Sequence, residues 1–294
     1  MMNSQKSFIN DNEKGELYLV PTPIGNLEDI TFRALNILKE VDAIAAEDTR
    51  QTRKLCNHFQ IETPVFSYHE HNKEVSGTRI LDMMMDGKRV ALVSDAGMPT
   101  ISDPGSELVK QVLSLNAKVI PLPGANAALT ALIASGISPQ PFYFFGFLDR
   151  HKKEKKKQLE QLKSMRDTLI FYESPHRLKD TLNLMYEYFG NRMICLSREL
   201  TKKFEEFIRG TLEEVITWSE ENEIRGEFCI IIEGNTNEEI DDPDNIWWNT
   251  LGLAEHVEHY IENGLKAKDA IKQVAVDREM AKRDVYQAYH INEK

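Results

Sequence analysis

Short apolar runs alternate with amphipathic segments along the first part of the chain. Two of these segments, residues 32–41 and 107–115, repeat their apolar positions at about the 3.6-residue period of a helix. Strand candidates lie at 17–21, 43–46, 65–68, 90–94 and 119–122. Because strands that alternate with helices favour a parallel sheet, the pattern predicts an α/β domain.

The second part of the chain is richer in strand candidates. They lie at 142–147, 168–172, 193–196, 206–209 and 228–232, and a helix candidate at 152–165 joins the first two. The later connections are shorter, which indicates a mixed sheet. Two prolines and a glycine interrupt the pattern at 121–124. We therefore predict an N-terminal tail over 1–14 and two α/β domains, over 15–123 and 124–236.

The end of the chain has only helical patterns. Residues 235–245 are acidic and polar and are predicted to be a linker, and 246–294 a small helical tail. Within the tail, 268–276 and 282–289 are predicted to be two short helices, at a spacing that fits a helix-turn-helix. Such a pair binds nucleic acid or packs on a partner, and the spacing alone favours packing.

Composition narrows the class of protein. The 294 residues are 41% hydrophobic and 28% charged, as expected for globular domains. Residues 1–16 lack the apolar core of a signal peptide, and the longest apolar stretch, 127–137, is shorter than the roughly 20 residues of a membrane helix. We therefore expect a cytoplasmic protein with no membrane partner. Cys56, Cys195 and Cys229 form no C-x-x-C pair, so buried thiols are expected rather than disulfides or a metal site.

The net charge of −11 is unevenly distributed. Residues 212–262 carry fifteen Asp and Glu against one Arg, which leaves the rest of the chain at +3. Residues 149–157 hold six basic and two acidic residues. A local basic patch can hold phosphates on an acidic protein, although most charge runs are only solvated faces.

Loops beside the predicted strands contain many small and charged residues. The loop at 20–29 matches neither the dinucleotide nor the triphosphate fingerprint. In the loop at 94–105, Asp95 or Asp103 could meet a cationic ammonium or ribose hydroxyls, whereas Ser102 or Asp103 could instead cap the next helix. Similar loops lie at 47–50, 121–128, 171–177, 197–205 and 226–228. Because ligands of α/β sheets bind at strand ends, these loops predict a cleft.

Seven motifs occur in one order along the chain. They are V-P-T-P-I-G-N-L-E-D-I-T, A-A-E-D-T-R, S-Y-H-E-H-N, V-S-D-A-G-M-P-T-I-S-D-P-G, P-L-P-G-A-N-A-A, F-Y-E-S-P-H-R-L and S-R-E-L-T-K. The ordered set resembles the tetrapyrrole-methylase-like (class III) methyltransferases, and among them the enzymes that methylate a cytidine 2′-hydroxyl of small-subunit ribosomal RNA. The resemblance runs from about Gly15 to the end of the chain.

This resemblance implies a fold, a cofactor and partners. The fold is two α/β domains with S-adenosylmethionine in the cleft between them, and the assembly is a homodimer. The target is a cytidine in the decoding region of small-subunit ribosomal RNA, and residues 268–289 are the family's helix-turn-helix tail. The positions expected to bind the cofactor are Pro23, Asp95, Ala96, Gly97, Ile101, Asn126, Ala127, Tyr172, Glu173, Leu200, Glu227 and Phe228.

Methyl transfer to a hydroxyl needs alignment of the reacting atoms and removal of a proton. The candidates for the base or proton relay are Glu173, Glu199 and Asp48. Lys202, Arg198 or Arg50 could hold the adjacent phosphate or favour ionisation of the hydroxyl. The basic run predicts RNA backbone contacts from Lys152, Lys153, Lys155, Lys156 and Lys157.

Two other functions stay open at this point. A tetrapyrrole methylase of corrin biosynthesis would use the same fold, although the basic segment and the helical tail speak against a small macrocycle. A non-catalytic ribosome-binding protein could retain a nucleotide pocket. A dehydrogenase is disfavoured, because the chain has no dinucleotide fingerprint.

Overall fold

The computed structural model describes residues 4–8, 14–236, 248, 251–278 and 280–291. The chain forms two compact units, residues 1–235 and 236–294. The described part of the first unit contains two sheets and their helices, and that of the second contains helices. Within the described ranges, no helix is both long enough and apolar enough to cross a membrane.

A parallel sheet of five strands forms the first part of the larger unit. Its strands are β1 (Glu16–Leu19), β2 (Ala43–Ala46), β3 (Val65–Ser67), β4 (Val90–Val93) and β5 (Lys118–Pro121), in the order β3-β2-β4-β1-β5. Every residue of β2 and β4 is buried, as expected when helices cover both faces of a sheet. The predicted α/β fold is confirmed, and each strand end lies within two residues of its predicted position.

Four helices cover this sheet: α1 (Phe32–Glu40), α2 (Thr49–His58), α3 (Lys73–Met85) and α4 (Ser106–Ser114). One core layer includes Leu38 of α1 and Cys56 of α2, and the other includes Ile80 of α3 and Leu108 of α4. The sequence did not predict α2, because most of its residues are polar and its buried face is only one side of a short helix.

A mixed sheet of five strands follows, as predicted. Its strands are β6 (Phe142–Phe147), β7 (Thr168–Glu173), β8 (Met193–Arg198), β9 (Glu206–Thr211) and β10 (Phe228–Ile232), in the order β6-β7-β10-β8-β9. Helix α5 (Ala127–Ser135) packs on one face of this sheet through Ala128, Ala131 and Leu132. The other face is covered by α6 (Lys152–Leu162), α7 (Pro175–Phe189) and α8 (Leu212–Glu221).

Strand β10 determines which side chains meet at one edge of the second sheet. It lies between β7 and β8 and runs antiparallel to both. Phe228, at its start, is paired with Glu173 at the end of β7 and with Arg198 at the end of β8. Residues that are far apart in sequence therefore share this edge.

The described part of the second unit is a cluster of three helices: α9 (Leu253–Glu262), α10 (Ala267–Asp277) and α11 (Lys282–Ile291). Its core is small and includes Val257, Ile271, Val274 and Val285. The two predicted short helices are present as α10 and α11. Residues 237–245 of the predicted linker lie outside the described residues.

Candidate functional site

Loops and strand ends from both sheets enclose a cleft of about 320 Å³. The first sheet contributes residues that follow β1, β2, β4 and β5, and the second contributes the ends of β6, β7 and β8 with the start of β10. Parallel strands direct their following loops to one edge of a sheet. This volume lies near the lower limit of the range that is usual for ligand pockets, roughly 300–1,000 Å³. Among the described residues, this cleft is the strongest candidate for a ligand site.

The cleft brings together every expected cofactor-binding residue except Pro23. Those that line it are Asp95, Ala96, Gly97, Ile101, Asn126, Ala127, Tyr172, Glu173, Leu200, Glu227 and Phe228. Pro23 directly precedes Ile24, which does line the cleft. The expected residues therefore share one cavity, although they come from loops of two different sheets.

The expected catalytic residues divide into two groups. Glu173, Glu199 and Lys202 line the cleft, and Asp48, Arg50 and Arg198 do not. Arg198 donates from Nε to Glu206 at 2.6 Å, at the side of the sheet where β9 lies. The structure thus leaves Arg198 in an ion pair outside the cleft.

Asp48 and Arg50 form their own ion pair beside the cleft. Asp48 caps α2 by accepting from the Arg50 backbone N–H, and its Oδ2 lies 2.7 Å from Arg50 Nη2. The bonds from Arg50 lower the pKa of Asp48 to about 2, so this carboxylate is a poor proton acceptor at neutral pH. The Asp48 backbone N–H also donates to Asp95, which makes Asp48 a support for the cleft wall.

The loop at 94–105 is held against the loop that follows β1. Thr22 and Gly97 exchange two backbone hydrogen bonds of 2.9 and 3.0 Å. Gly97 has φ +78°, a backbone conformation that glycine adopts without strain. The helix-capping prediction for Ser102 and Asp103 is wrong, because α4 begins at Ser106 after Gly105. Ser102 and Asp103 instead line the cleft.

Three carboxylates form what we call the acidic wall: Glu47, Asp95 and Asp103. Burial, followed by repulsion from Glu47, raises the pKa of Asp103 to about 7. Burial and then repulsion from Asp95 also raise the pKa of Glu47. Because proximity of like charges disfavours ionisation, a cation bound at this wall would favour the ionised forms.

Glu173 is buried, with 2% of its surface exposed, and both of its oxygens have partners. Oε1 accepts from the Ser174 backbone N–H at 2.9 Å and lies 3.3 Å from Arg177 Nε. Oε2 accepts from the Thr181 hydroxyl at 2.6 Å and lies 3.7 Å from Lys155 Nζ. We call these residues the Glu173 network. They join the end of β7 to α6 and α7.

The expected RNA contact from Lys155 is wrong. Lys155 is 4% exposed, and its Nζ donates to Thr181 at 2.7 Å inside the Glu173 network. It lies on the same face of α6 as the buried Leu159 and Leu162. The helical period places this one lysine of the basic run inward, whereas Lys152 and Lys153 are exposed.

The loop that follows β8 is backbone-strained where it reaches the cleft. Glu199 and Thr201 have φ +52° and +65°, uncommon values for residues other than glycine. Glu199 Oε1 lies 3.1 Å from Lys202 Nζ. The Thr201 hydroxyl accepts from the Asn26 backbone N–H at 3.0 Å, which ties this loop to the first sheet's loop.

Aromatic side chains form another wall of the cleft. Phe147 and Tyr172 are in edge contact with ring centroids 5.5 Å apart. The Tyr172 hydroxyl accepts from the Ala128 backbone N–H at 3.1 Å, in the first turn of α5. Such a wall is suited to a flat ring system.

Several cleft residues were not among the expected site residues: Ile24, Glu47, Met98, Ser102, Phe147, Ser197 and Cys229. Asp103, which the sequence analysis considered as a partner for an ammonium or a ribose hydroxyl, also lines the cleft. Glu47 lies within a motif that the sequence analysis singled out, so its carboxylate was an available signal. Phe147 and Cys229 belong to apolar strands and differ in no visible way from core residues.

The chain belongs to the tetrapyrrole (corrin/porphyrin) methylase family, whose sequence model matches residues 16–216. It is 63% identical over 293 residues to ribosomal RNA small subunit methyltransferase I of Bacillus subtilis, covering 100% of both chains. It is 58% identical to the protein of the same name from Halalkalibacterium halodurans, covering 98% of this chain and 99% of the relative. The resemblance of the ordered motifs to the tetrapyrrole-methylase-like methyltransferases, and to those named for small-subunit ribosomal RNA, is confirmed.

Solved structures share the fold. A cobalt precorrin-4 methyltransferase of cobalamin biosynthesis aligns with a TM-score of 0.58 at 18% identity, over 74% of this chain and 94% of its own. A diphthine synthase aligns with a TM-score of 0.60 at 12% identity, over 76% and 91%. At these identities the likeness supports the class III methyltransferase fold and no particular substrate.

Replacing Glu173 tests whether the Glu173 network stabilises the protein. Glu173→Gln leaves the buried Lys155 and the half-buried Arg177 without their carboxylate, and we expect the free energy of unfolding to fall by about 3–5 kcal/mol. Glu187→Gln is the matched control, because Glu187 pairs with Lys156 at 2.8 Å on the exposed surface. It should change stability by less than about 1 kcal/mol. Urea denaturation measures both, and equal losses would contradict the assignment.

Proposed function

We propose that this chain transfers a methyl group from S-adenosylmethionine to the 2′-hydroxyl of a cytidine in the decoding region of small-subunit ribosomal RNA. The observation that carries the proposal is the 63% identity over full length to a protein named ribosomal RNA small subunit methyltransferase I. The cytidine, the ribose hydroxyl and the decoding region follow from the motif resemblance. The cytoplasm is the proposed location, because the proposed substrate is ribosomal.

The cleft residues fit S-adenosylmethionine, a cofactor that carries an ammonium and a methyl group on a positively charged sulfur. The acidic wall offers carboxylates to these two cationic groups. The small side chains of Ala96, Gly97 and Ala127 allow close approach of a ligand, and Phe147 and Tyr172 offer faces for an adenine ring. These features support the proposal that the expected residues bind S-adenosylmethionine in this cleft.

We assign the base to Glu199. When bound, the cofactor supplies the methyl group, and the chain must hold the ribose hydroxyl in line and accept its proton. Glu199 lines the cleft and its side chain is 29% exposed, whereas both oxygens of Glu173 are occupied inside the network. Lys202, at 3.1 Å, orients this carboxylate and is placed to meet an adjacent phosphate.

The proposal includes the remaining partners expected from the resemblance. The helical tail is proposed to help bind RNA, together with the exposed lysines of α6. The chain is proposed to be a homodimer, and the exposed apolar side chains of Leu129 and Ile133 on α5 are a candidate surface for that contact.

A corrin or porphyrin methylase is the second candidate function. The family model carries that description, and the solved precorrin-4 enzyme shares the fold. Full-length identity to proteins named for ribosomal RNA favours the first candidate.

Mapping of 2′-O-methyl groups tests the proposed function directly. Small-subunit ribosomal RNA from cells that lack this protein should lose one 2′-O-methylcytidine in the decoding region, and purified protein with S-adenosylmethionine should restore it. A corrin precursor is the matched alternative substrate in the same labelled-methyl assay. An unchanged methylation map, or transfer to the macrocycle only, would refute the proposal.

Binding of the cofactor should depend on pH through the acidic wall. Because the pKa of Asp103 is about 7, lowering the pH from 7.5 to 6 neutralises it and weakens its attraction for a cation. We expect the Kd for S-adenosylmethionine to rise by at most about tenfold per pH unit. The uncharged-sulfur product, S-adenosylhomocysteine, should respond less, and Asp103→Asn should flatten the response. Calorimetry with both ligands measures this, and equal slopes in the wild type would contradict the placement.

Glu199→Gln tests the assignment of the base. Methyl transfer at saturating cofactor and RNA should slow by about 10²–10⁴-fold, since the variant retains shape but cannot accept the proton. Glu220→Gln, an exposed position on α8, is the control and should retain full activity. The Kd for S-adenosylmethionine should stay unchanged, because the acidic wall is intact. Near-full activity of Glu199→Gln would exclude Glu199 as the base.

A further inference from the structure

A second cavity, of about 300 Å³, lies between the start of α6 and the outer face of α7. Its cationic side chains are Arg150, Lys152, Lys155 and Arg177, and we call it the Arg150 cavity. Two carboxylates, of Asp180 and Glu187, also line it. Positive groups outnumber negative ones on its walls, and two of the four cations, Lys155 and Arg177, share the charge of Glu173.

One of the two carboxylates is already neutralised by a partner, whereas Asp180 forms no ion pair among the described residues. Glu187 is already paired with Lys156, at 2.8 Å. Among the described residues, Arg150 and Lys152 form no ion pair and donate no side-chain hydrogen bond. Two cations with open donors at one cavity are suited to an oxyanion, and a phosphate oxygen accepts such bonds strongly.

Arg177 is fixed where it borders the cavity. Its Nη2 donates to the Leu148 and Asp149 carbonyls at 2.7 and 3.0 Å, and its Nε faces Glu173. These contacts hold the guanidinium in one orientation. A held cation costs less side-chain entropy on binding than a free one, so part of this wall is preorganised.

The Arg150 cavity is separated from the cofactor cleft by the Glu173 network. Glu173 lines the cleft, and Arg177 and Lys155, which line the Arg150 cavity, lie 3.3 and 3.7 Å from its two oxygens. One layer of side chains thus stands between the two cavities. An RNA strand with a ribose in the cleft carries phosphates on both sides of that ribose.

We propose that the Arg150 cavity binds one backbone phosphate of the RNA substrate. This phosphate lies within a few nucleotides of the methylated ribose. This inference rests on the proposed function. Of the lysines in the basic run, this inference assigns the phosphate contact to Lys152, and it adds Arg150 as a second contact. Lys153 and Lys157 then contribute only general positive charge at the surface. Phosphate contacts position a strand without reading its sequence, so the cavity would set the register of the target ribose.

The test compares two double variants in binding to a decoding-region RNA fragment at several salt concentrations. Arg150→Gln with Lys152→Gln should raise the Kd and the KM for RNA and reduce the slope of log Kd against log salt by about 0.7, as for one lost phosphate contact. Lys153→Gln with Lys157→Gln removes the same amount of charge from α6 outside the cavity, and should change the slope by less than half as much.

Two controls keep this test separate from the proposed function. The Kd for S-adenosylmethionine should be unchanged in the Arg150→Gln, Lys152→Gln variant, because neither residue lines the cleft. If the wild-type protein methylates no ribosomal RNA, the proposed function fails. If it does, but the two double variants have equal slopes, only the Arg150 cavity proposal is overturned.

RNA with a single uncharged methylphosphonate linkage identifies the phosphate. In a series of fragments that carry the linkage at successive positions, binding by the wild-type protein should be weakened most when the linkage lies at one position near the target nucleotide. The Arg150→Gln, Lys152→Gln variant should show no extra loss at that position. A series with no such position would mean that the cavity takes a free phosphate ester or no anion, and would overturn the proposal.

Discussion

The buried charge of Glu173 is the constraint on which the rest of the site depends. An ionised carboxylate that is almost wholly removed from water must have cationic partners, and here Lys155 and Arg177 provide them. Burial lowers the pKa of Lys155, so the desolvation of the ammonium is not fully offset by Glu173. The arrangement fixes the end of β7 against α6 and α7. One side of it faces the cofactor cleft and the other faces the Arg150 cavity.

Close backbone contacts join the loops of the two sheets around that fixed point. A Cβ atom on Gly25, in the loop after β1, would lie 2.6 Å from Lys202 Cγ and 2.8 Å from the Leu200 carbonyl oxygen, in the loop after β8. Within the second sheet, a Cβ atom on Gly226 would lie 2.5 Å from Glu199 Oε1. Only glycine allows these approaches without displacement of a neighbour. The strained residues of the loop after β8 lie between the same contacts. The geometry of the cleft thus comes from backbone packing as much as from its polar side chains.

The two cavities have opposite electrostatic character. The acidic wall of the cleft is suited to a cationic cofactor, and the Arg150 cavity is suited to an anionic strand. The proposed RNA binding is compatible with the net charge of −11, because cationic side chains are concentrated at the Arg150 cavity. Local charge at short range decides such contacts, because salt screens exposed charges beyond roughly 8–10 Å.

The strands, the alternation of strands and helices in the first sheet, the mixed character of the second sheet and the family could all be predicted from the pattern of residues along the chain. The apolar runs of β2 and β10 were predicted at their observed bounds, because burial on both faces leaves a local signal. The edge strand β6 was also predicted at its bounds, although it is partly exposed, because its run of aromatic residues is apolar throughout. Most of the cleft residues belong to the ordered motifs, because those motifs follow or begin the strands whose ends meet at the cleft. Helices α2, α3, α7, α8 and α9 were not predicted individually. In α2 only one narrow side is buried, which leaves a weak periodic signal.

The environment of each charged group could be established only from the folded chain. Asp48 and Arg198 carry the same charges in the sequence as Glu199 and Lys202, yet they form ion pairs outside the cleft. Lys155 belongs to a run of lysines and is nevertheless buried. Asp103 faces the cleft and does not cap a helix. The role of a charged group depends on its burial and on partners distant in sequence, and neither is encoded in the local pattern of residues.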